Sequence, residues 1–327
     1  MVHCQPETQL FMQGGRCTAP FFLDLTKECK FMDRMLRNKW MIALFVIPAL
    51  SLYTFFLPLP IVKSIYYSFF DWNVIGAKVF IAFDNYRELF MQDDIFLLAL
   101  KNTLIFTLES VLLQLPIALI LAILLSSKLR GVMFFRNVYF TPVIISGTAV
   151  GLLWQFIYHS DIGLLNTVVR AIGFSGFDKA WLSDSEFAIH AVVISVAWQY
   201  FGYHMVIFLA GMSTIHSEVL ESARIDGASE WKVLWHILLP LMKPFIAISL
   251  ILITTSSVKA FDNVIALTGG GPARSSTVLA LHMYSTAFQQ MRYGFGSAVS
   301  VFLLGLNMFI TLLISLMFRQ GRESRGG

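Results

Sequence analysis

Six stretches of the chain are each long and apolar enough to cross a lipid bilayer: Trp40–Val62, Asn102–Leu125, Val138–Tyr158, Phe187–Met212, Phe245–Leu267 and Phe295–Phe318. A hydrocarbon core of roughly 30 Å takes about 20 apolar residues in helical form, since every backbone polar group must bond within its own segment. The last stretch is the clearest, with 24 residues, no charge and fourteen Leu, Ile, Val or Phe. At roughly −0.3 to −0.6 kcal/mol each, these side chains favour insertion by several kcal/mol. The runs are too long for membrane β-strands and do not alternate. Charged residues make up only 13 % of the 327, about half the roughly 25 % of a soluble chain. The expected fold is an all-α integral membrane protein with six transmembrane helices.

Lys and Arg set the expected orientation. Fourteen flank one side: Lys27, Lys30, Arg34, Arg37 and Lys39; Lys128, Arg130 and Arg136; Arg224, Lys232 and Lys243; Arg319, Arg322 and Arg325. The opposite loops hold eight. The bias puts the N- and C-termini and the loop 213–244 in the cytoplasm of a multi-pass cell-membrane protein. The expected organisation is a cytoplasmic tail 1–39, a transmembrane domain 40–318 with the loop 213–244 inside it, and a cytoplasmic tail 319–327. The outer loops 63–101 and 159–186 are too long for tight turns and carry aromatics suited to the headgroup region.

Other features narrow the function by exclusion. A net charge of +4 without a basic tract beyond the membrane flanks argues against nucleic acid. Cys4, Cys17 and Cys29 fit neither a zinc pattern nor a closed disulfide set, and read as free thiols of the N-terminal tail. Residues 1–31 contain no signal-peptide core. The basic segment Arg34–Lys39 suggests a natural start at Met32 or Met35, with 1–31 read in frame upstream.

The loop from His216 to Pro244 is the most informative segment. Ser217 is placed to cap a short helix carrying Glu218 and Glu221 in its first turns, where the helix dipole favours acids. Asp226-Gly227 breaks that helix. A second helix carries Trp231, Leu234, Trp235 and Leu238 on one face, and Pro240 and Pro244 are expected to stop it and begin the fifth span. A plain interfacial anchor does not need an acid-rich short helix set off by a glycine turn; insertion into a groove on a partner does.

The segment Glu221-Ser222-Ala223-Arg224-Ile225-Asp226-Gly227-Ala228, followed by Ile237-Leu238-Leu239-Pro240 and Pro244, closely resembles the EAA loop of ABC importer permeases. Ser222 departs from the usual Ala but is small enough for the same groove. Gly151-Leu152-Leu153-Trp154, Gly163-Leu164-Leu165-Asn166, Trp181-Leu182-Ser183-Asp184 and Phe261-Asp262 with Leu267-Thr268-Gly269-Gly270-Gly271-Pro272 extend the resemblance over nearly the whole chain from about residue 40. They look like the first permease of maltose-type or glycerol-3-phosphate-type systems. The resemblance implies type I permease architecture and a coupling helix that docks on an ATPase, with Glu221, Ser222, Ala223, Asp226, Gly227, Ala228 and Pro240 as the coupling residues. It implies as partners a second homologous permease, two ATPase subunits and an external sugar-binding protein, besides membrane lipid. ATP and Mg²⁺ would belong to the ATPases, with no cofactor and no enzymatic activity in this chain; no Walker A pattern occurs in it.

Polar groups within the spans are the candidates for the path. Aromatics stack on sugar C–H faces while their polar tips hydrogen-bond. The resemblance places sugar contacts in spans three to five, which contain Trp154, Tyr158, Gln199, Tyr203, Asp262 and Asn263. Lys259 and Asp262, three apart, read equally as an ion pair on one helical face. Glu109 reads as a bundle-facing hydrogen-bonding group, and His190 and His204 as isolated packed histidines. The loop Thr268–Pro272 reads as a flexible turn meeting the external protein. A glycerol-3-phosphate-type importer is the nearest alternative; an ion-gradient-driven transporter would leave the loop His216–Pro244 unexplained, and a membrane enzyme lacks a catalytic cluster.

Overall fold

A computed structural model describes residues 39–126, 131–174 and 178–323. Cys4, Cys17 and Cys29, the alternative starts Met32 and Met35, and the basic residues Lys27, Lys30, Arg34, Arg37, Lys128, Arg130 and Arg325 lie outside the described residues. The chain divides into two compact units, Met1–Val62 and Lys63–Gly327. In the first, helix α1 (Lys39–Phe56) buries none of its residues, as suits an apolar helix facing lipid. It opens the candidate span Lys39–Tyr67, which ends in α2 (Pro58–Tyr67).

The second unit continues with a two-residue antiparallel ribbon, β1 (Phe70–Asp71) and β2 (Val79–Phe80), then α3 (Asp84–Met91) and α4 (Asp94–Ser126). Next come α5 (Val132–Phe140), α6 (Gly147–Ile157), α7 (Leu164–Ala171) and α8 (Ala188–Ser213). They are followed by α9 (Ser217–Ile225), α10 (Glu230–Val233), α11 (Leu239–Val258), α12 (Asp262–Leu267), α13 (Leu279–Tyr284) and α14 (Tyr293–Glu323). Asp93 starts α4, its Oδ1 accepting from the N–H groups of Ile95 and Phe96 at 2.9 and 3.0 Å.

Five helical stretches are long and apolar enough to span: Lys39–Tyr67, Asp94–Ser126, Ala188–Ser213, Glu230–Val258 and Tyr293–Phe318. The third span expected at Val138–Tyr158 is not one straight helix. It is the pair Val132–Ile144 and Gly147–Ile157, bent by 102°. The break follows from local chemistry. Pro142 opens a 3₁₀ turn, Ile145 and Ser146 are extended, and the Ser146 hydroxyl caps α6 by accepting from the Ala149 N–H. Counting the bent pair as one, the spans number six.

The fifth span is also corrected. It runs Glu230–Val258 rather than Phe245–Leu267. Pro240 and Pro244 do not interrupt the span: Pro240 lies in the first turn of α11, directly after a π-helical turn at Leu234–Leu238, and Pro244 lies further inside the same helix. The wider i→i+5 register of that turn absorbs the imide that lacks an N–H. At the other end α11 closes at Lys259, and α12 is a separate six-residue helix.

The core lies between α4 and α8. Phe106 of α4 packs with Val192 and Val196 of α8 and with Trp154 and Tyr158 around α6. Further along the same pair, Ala118, Ala122, Met205 and Phe208 enclose Met242. Small residues allow close approach: Gly211 lies against the Phe245 ring, Gly151 against Ala266, and Gly202 against the Tyr139 carbonyl.

The loop Thr268–Pro272 is not a free turn. Asn102 Nδ2 donates to the carbonyls of Ser275 and Thr277 at 2.8 and 2.9 Å, and Ser276 Oγ donates to the Gly271 carbonyl at 2.6 Å. Ser276 is fully buried. Gly269 and the following Ala273 and Arg274 are exposed. Nearby, His282 Nε2 meets Asp93 Oδ2 at 2.9 Å; burial holds this imidazole below its usual pKa, with the Asp93 carboxylate opposing the shift.

Candidate coupling surface and translocation pathway

The segment after α8 folds into a two-helix elbow. His216 is extended and forms no side-chain cap, and Ser217 is already the first helical residue of α9. The expected Ser217 cap is therefore displaced by one position. Glu218 lies in the first turn. The helix closes in a Schellman motif: Gly227 N–H donates to the Arg224 carbonyl and Ala228 N–H to the Ala223 carbonyl, each at 3.0 Å. Gly227 holds φ at +79°, a left-handed conformation that glycine alone adopts without penalty.

Two further contacts set the elbow angle. Arg224 forks onto Glu230, Nε to Oε1 at 2.8 Å and Nη2 to Oε2 at 3.2 Å. Ser229 caps α10, its hydroxyl accepting from the Lys232 N–H. Helix α9 buries none of its residues, and Ile225 is 85 % exposed at its end. Glu221, Ser222, Asp226 and Gly227 are exposed, with Ala223 and Ala228 partly so. Trp231 and Trp235 stack edge to face on α10 and the π turn, with centroids 5.7 Å apart. The elbow thus offers a short acidic helix with an exposed apolar tip.

Where α11 ends, Tyr200, Ser256, Lys259, Phe261, Asp262 and Asn263 surround a small, open pocket of about 120 Å³. That is smaller than the roughly 300–1,000 Å³ of drug-sized ligand sites. Of the six expected path residues, Asp262 and Asn263 line it. Gln199 stands behind them. Its Nε2 donates to the Ile145 carbonyl at 2.9 Å and its Oε1 accepts from Asn263 Nδ2 at 3.0 Å, tying the bend between α5 and α6 to α12. Trp154 and Tyr158 belong to the core, where Tyr158 donates to the Ala191 carbonyl at 2.9 Å. Tyr203 is half-exposed, edge-on to His204, away from the pocket lining.

The Lys259–Asp262 ion pair is not formed: the two residues sit on different helices and make no salt bridge. His190, in contrast, is not isolated. Its Nδ1 lies 2.7 Å from Glu109 Oε1, joining α8 to α4. The reading of Glu109 as a hydrogen-bonding group between helices holds, and its partner lies 81 residues away, beyond any local sequence signal. The Arg224–Glu230 fork was also missed, although opposite charges flanking Asp-Gly were a usable signal.

A family model for binding-protein-dependent transport system inner membrane components matches residues 114–321. The chain belongs to this family. Among its relatives is the probable ABC transporter permease protein YurN of Bacillus subtilis, 35 % identical over 290 residues, spanning 88 % of this chain and 99 % of that protein. The multiple sugar-binding transport system permease protein MsmF of Streptococcus mutans is 32 % identical over 271 residues, 83 % of this chain and 92 % of that one. The fold matches a crystal structure of a bacterial ABC transporter for import of the acidic polysaccharide alginate, with a TM-score of 0.76 over 89 % of this chain and 99 % of that one, at 24 % identity.

This chain is therefore a multi-pass permease of the inner membrane. Its Glu109–His190 contact is a helix-to-helix tie. Such bonds within membranes average about 0.6 kcal/mol and reach about 1.7. Glu109→Gln, which keeps shape and one acceptor, is expected to lower the stability of the purified permease by no more than that, read as a shift of a few degrees at most in thermal unfolding in detergent.

Proposed function

We propose that the chain is the membrane-spanning subunit of an ATP-driven importer of sugars or oligosaccharides, energised through the elbow His216–Pro244. The observation that carries this reading is the exposed α9 helix, closed by its Schellman turn and joined to α10 by the Arg224–Glu230 fork, with none of its residues fully buried among the described residues. A short helix so uncovered fits a cleft on a partner. The permease would pair with a second permease and with two ATPase subunits that hold ATP and Mg²⁺. The loop 213–244 and both termini would face the cytoplasm, as the Lys and Arg bias favours. An external binding protein would deliver the solute to the opposite side.

In this reading the two arrangements of the permease are outward- and inward-facing, and ATP binding by the partners shifts the population between them. Glu221 and Asp226 would contact the ATPase, Gly227 would hold the turn, and Pro240 with the π turn would pass motion into the fifth span. Asp262 and Asn263 would meet sugar hydroxyls. Replacing Asp262 with Ala should reduce sugar uptake by on the order of tenfold or more, as expected when a charged hydrogen-bond acceptor is lost, while complex assembly, followed by co-purification, is unchanged. Normal uptake kinetics in that variant would remove Asp262 from the path.

A further inference from the structure

The ribbon β1–β2 ends in an exposed apolar tip. Its turn, Asn73-Val74-Ile75-Gly76-Ala77, carries no charge. Turns facing water favour Gly, Asn, Asp, Ser or Pro, whereas this one sets a Val and an Ile side by side. The Ile75 N–H donates to the Asn73 carbonyl at 2.7 Å, across Val74 at φ +65°. That is a γ-turn of the rare, strained hand, on a β-branched residue for which left-handed backbone is unfavourable. It leaves Ile75 93 % exposed. Val74, Val79, Phe80 and Phe83 are exposed as well, and neither residue of β2 is buried. Strain spent on holding an apolar side chain outward points to a use for it outside the chain's own core.

The base of the ribbon is fixed where two spans end. β1 follows closely on Tyr67, the last residue of the candidate span Lys39–Tyr67. Buried Asn85 donates through Nδ2 to the Ser68 and Phe70 carbonyls at 2.8 and 3.0 Å. The Gly294 N–H donates to the Trp72 carbonyl at 3.1 Å, and Tyr293, which opens the candidate span Tyr293–Phe318, packs on the Trp72 ring. A side chain at residue 294 would collide with the Phe70 carbonyl, so glycine permits this approach. At roughly 3.3 Å per residue, the tip at Ile75 reaches about 10 Å from Trp72, so it stays at the membrane surface. One span precedes the ribbon and four precede the elbow, which puts them on opposite faces. Lys78 completes the base. Its Nζ lies 4.5 Å from the Tyr67 ring centroid and 4.4 Å from that of Trp72. It is exposed and forms no ion pair among the described residues. Trp, Tyr and Lys around an apolar tip suit a bilayer interface, with rings at headgroup level and the cation toward phosphate.

We propose that the ribbon tip is a lipid-binding element: Ile75 and its apolar neighbours enter the acyl boundary of the leaflet opposite the elbow, and Lys78 meets a phospholipid phosphate. The tip then anchors the start of the last span, to which the Trp72 carbonyl is bonded, in that leaflet. A groove on another protein would have to match the shape of the tip, whereas the bilayer that already surrounds both spans accepts it as it is. The inference rests on the multi-pass topology and goes beyond the sugar-importer reading, which stands or falls separately.

The test labels the tip in the assembled transporter. Cys4→Ser, Cys17→Ser and Cys29→Ser remove the native thiols, the partner subunits are likewise freed of cysteine, and Ile75→Cys takes a nitrobenzoxadiazole fluorophore. The complex is reconstituted in vesicles of phosphatidylethanolamine and phosphatidylglycerol, with or without a phosphatidylcholine bearing a nitroxide near the top of its acyl chain. The label should lose at least half its emission to the nitroxide lipid and almost none to aqueous iodide. Lys78→Glu should at least halve the nitroxide quenching, since a carboxylate is repelled by the phosphates, while Lys78→Arg should retain it. Strong quenching by iodide with no response to the nitroxide lipid overturns the proposal. Shielding from iodide that appears only when the binding protein is added also overturns it and gives the tip to that protein. Nitroxide quenching unchanged in Lys78→Glu overturns the phosphate contact. ATP-driven sugar uptake by the same vesicles tests the importer reading independently of all three results.

Discussion

Replacing Gly227 with proline is expected to abolish sugar uptake while leaving the permease inserted and its bundle folded. Proline fixes φ near −65°, whereas Gly227 sits at +79°. The substitution also removes the N–H that bonds the Arg224 carbonyl. The Schellman turn cannot form, so α9 loses its closing bonds and the angle that lets Arg224 reach Glu230. Among the described residues, a side-chain carbon at residue 227 would meet no atom within 4 Å beyond its two chain neighbours. The damage is therefore confined to the elbow. Substrate-stimulated ATPase activity of the reconstituted complex should fall by at least about tenfold, the equivalent of losing about 1.4 kcal/mol of a productive contact. Gly227→Ala separates shape from chemistry. It strains the turn by roughly 1–2 kcal/mol but keeps the N–H, so it should retain part of the activity. Full stimulated activity in Gly227→Pro would show that the elbow does not couple.

Gly202→Ala is expected to do the opposite, damaging the fold rather than the coupling. The new methyl carbon would collide with the Tyr139 carbonyl and stand 3.1 Å from the Phe140 nitrogen. Both are main-chain atoms, so no rotamer change relieves the contact. α8 would have to move away from the bend at Ile145–Ser146, which Gln199 holds one turn earlier on the same helix. Overpacking of this kind costs typically about 1–3 kcal/mol. The expected result is a severalfold lower yield of permease in the membrane and earlier thermal unfolding. Wild-type yield and unfolding temperature would contradict so close an approach of α5 and α8.

Hydropathy marks the number of spans and roughly where each lies, because the membrane constrains length and polarity so strongly. It cannot locate breaks. Pro142 and Pro240 look alike in sequence, yet Pro142 precedes a bend of 102° and Pro240 lies in continuous helix. The difference lies in the neighbours: Ser146 supplies a cap that makes a new helix start favourable, while the turn before Pro240 slips into π register. The elbow was legible because Asp226-Gly227 encodes its own turn. The pocket was half legible. Asp262 and Asn263 stand in it, but Lys259 joins them only because α11 ends where a continuous helix was expected. Trp154 and Tyr158 enter the candidate path through the family resemblance, and both pack with Val192 and Val196 in the core. The Glu109–His190 tie needed two helices in register, which spacing along one chain does not reveal.

ATP bound by partner subunits would drive this permease through its elbow. The direct measurement is uptake of labelled sugar into proteoliposomes containing the whole complex and its binding protein, with ATP enclosed on the elbow side and the ion gradients collapsed by an ionophore. Uptake is expected to require ATP, to be indifferent to the ionophore and to disappear in Gly227→Pro. Uptake that proceeds without ATP, or that stops when the ionophore is added, would contradict it.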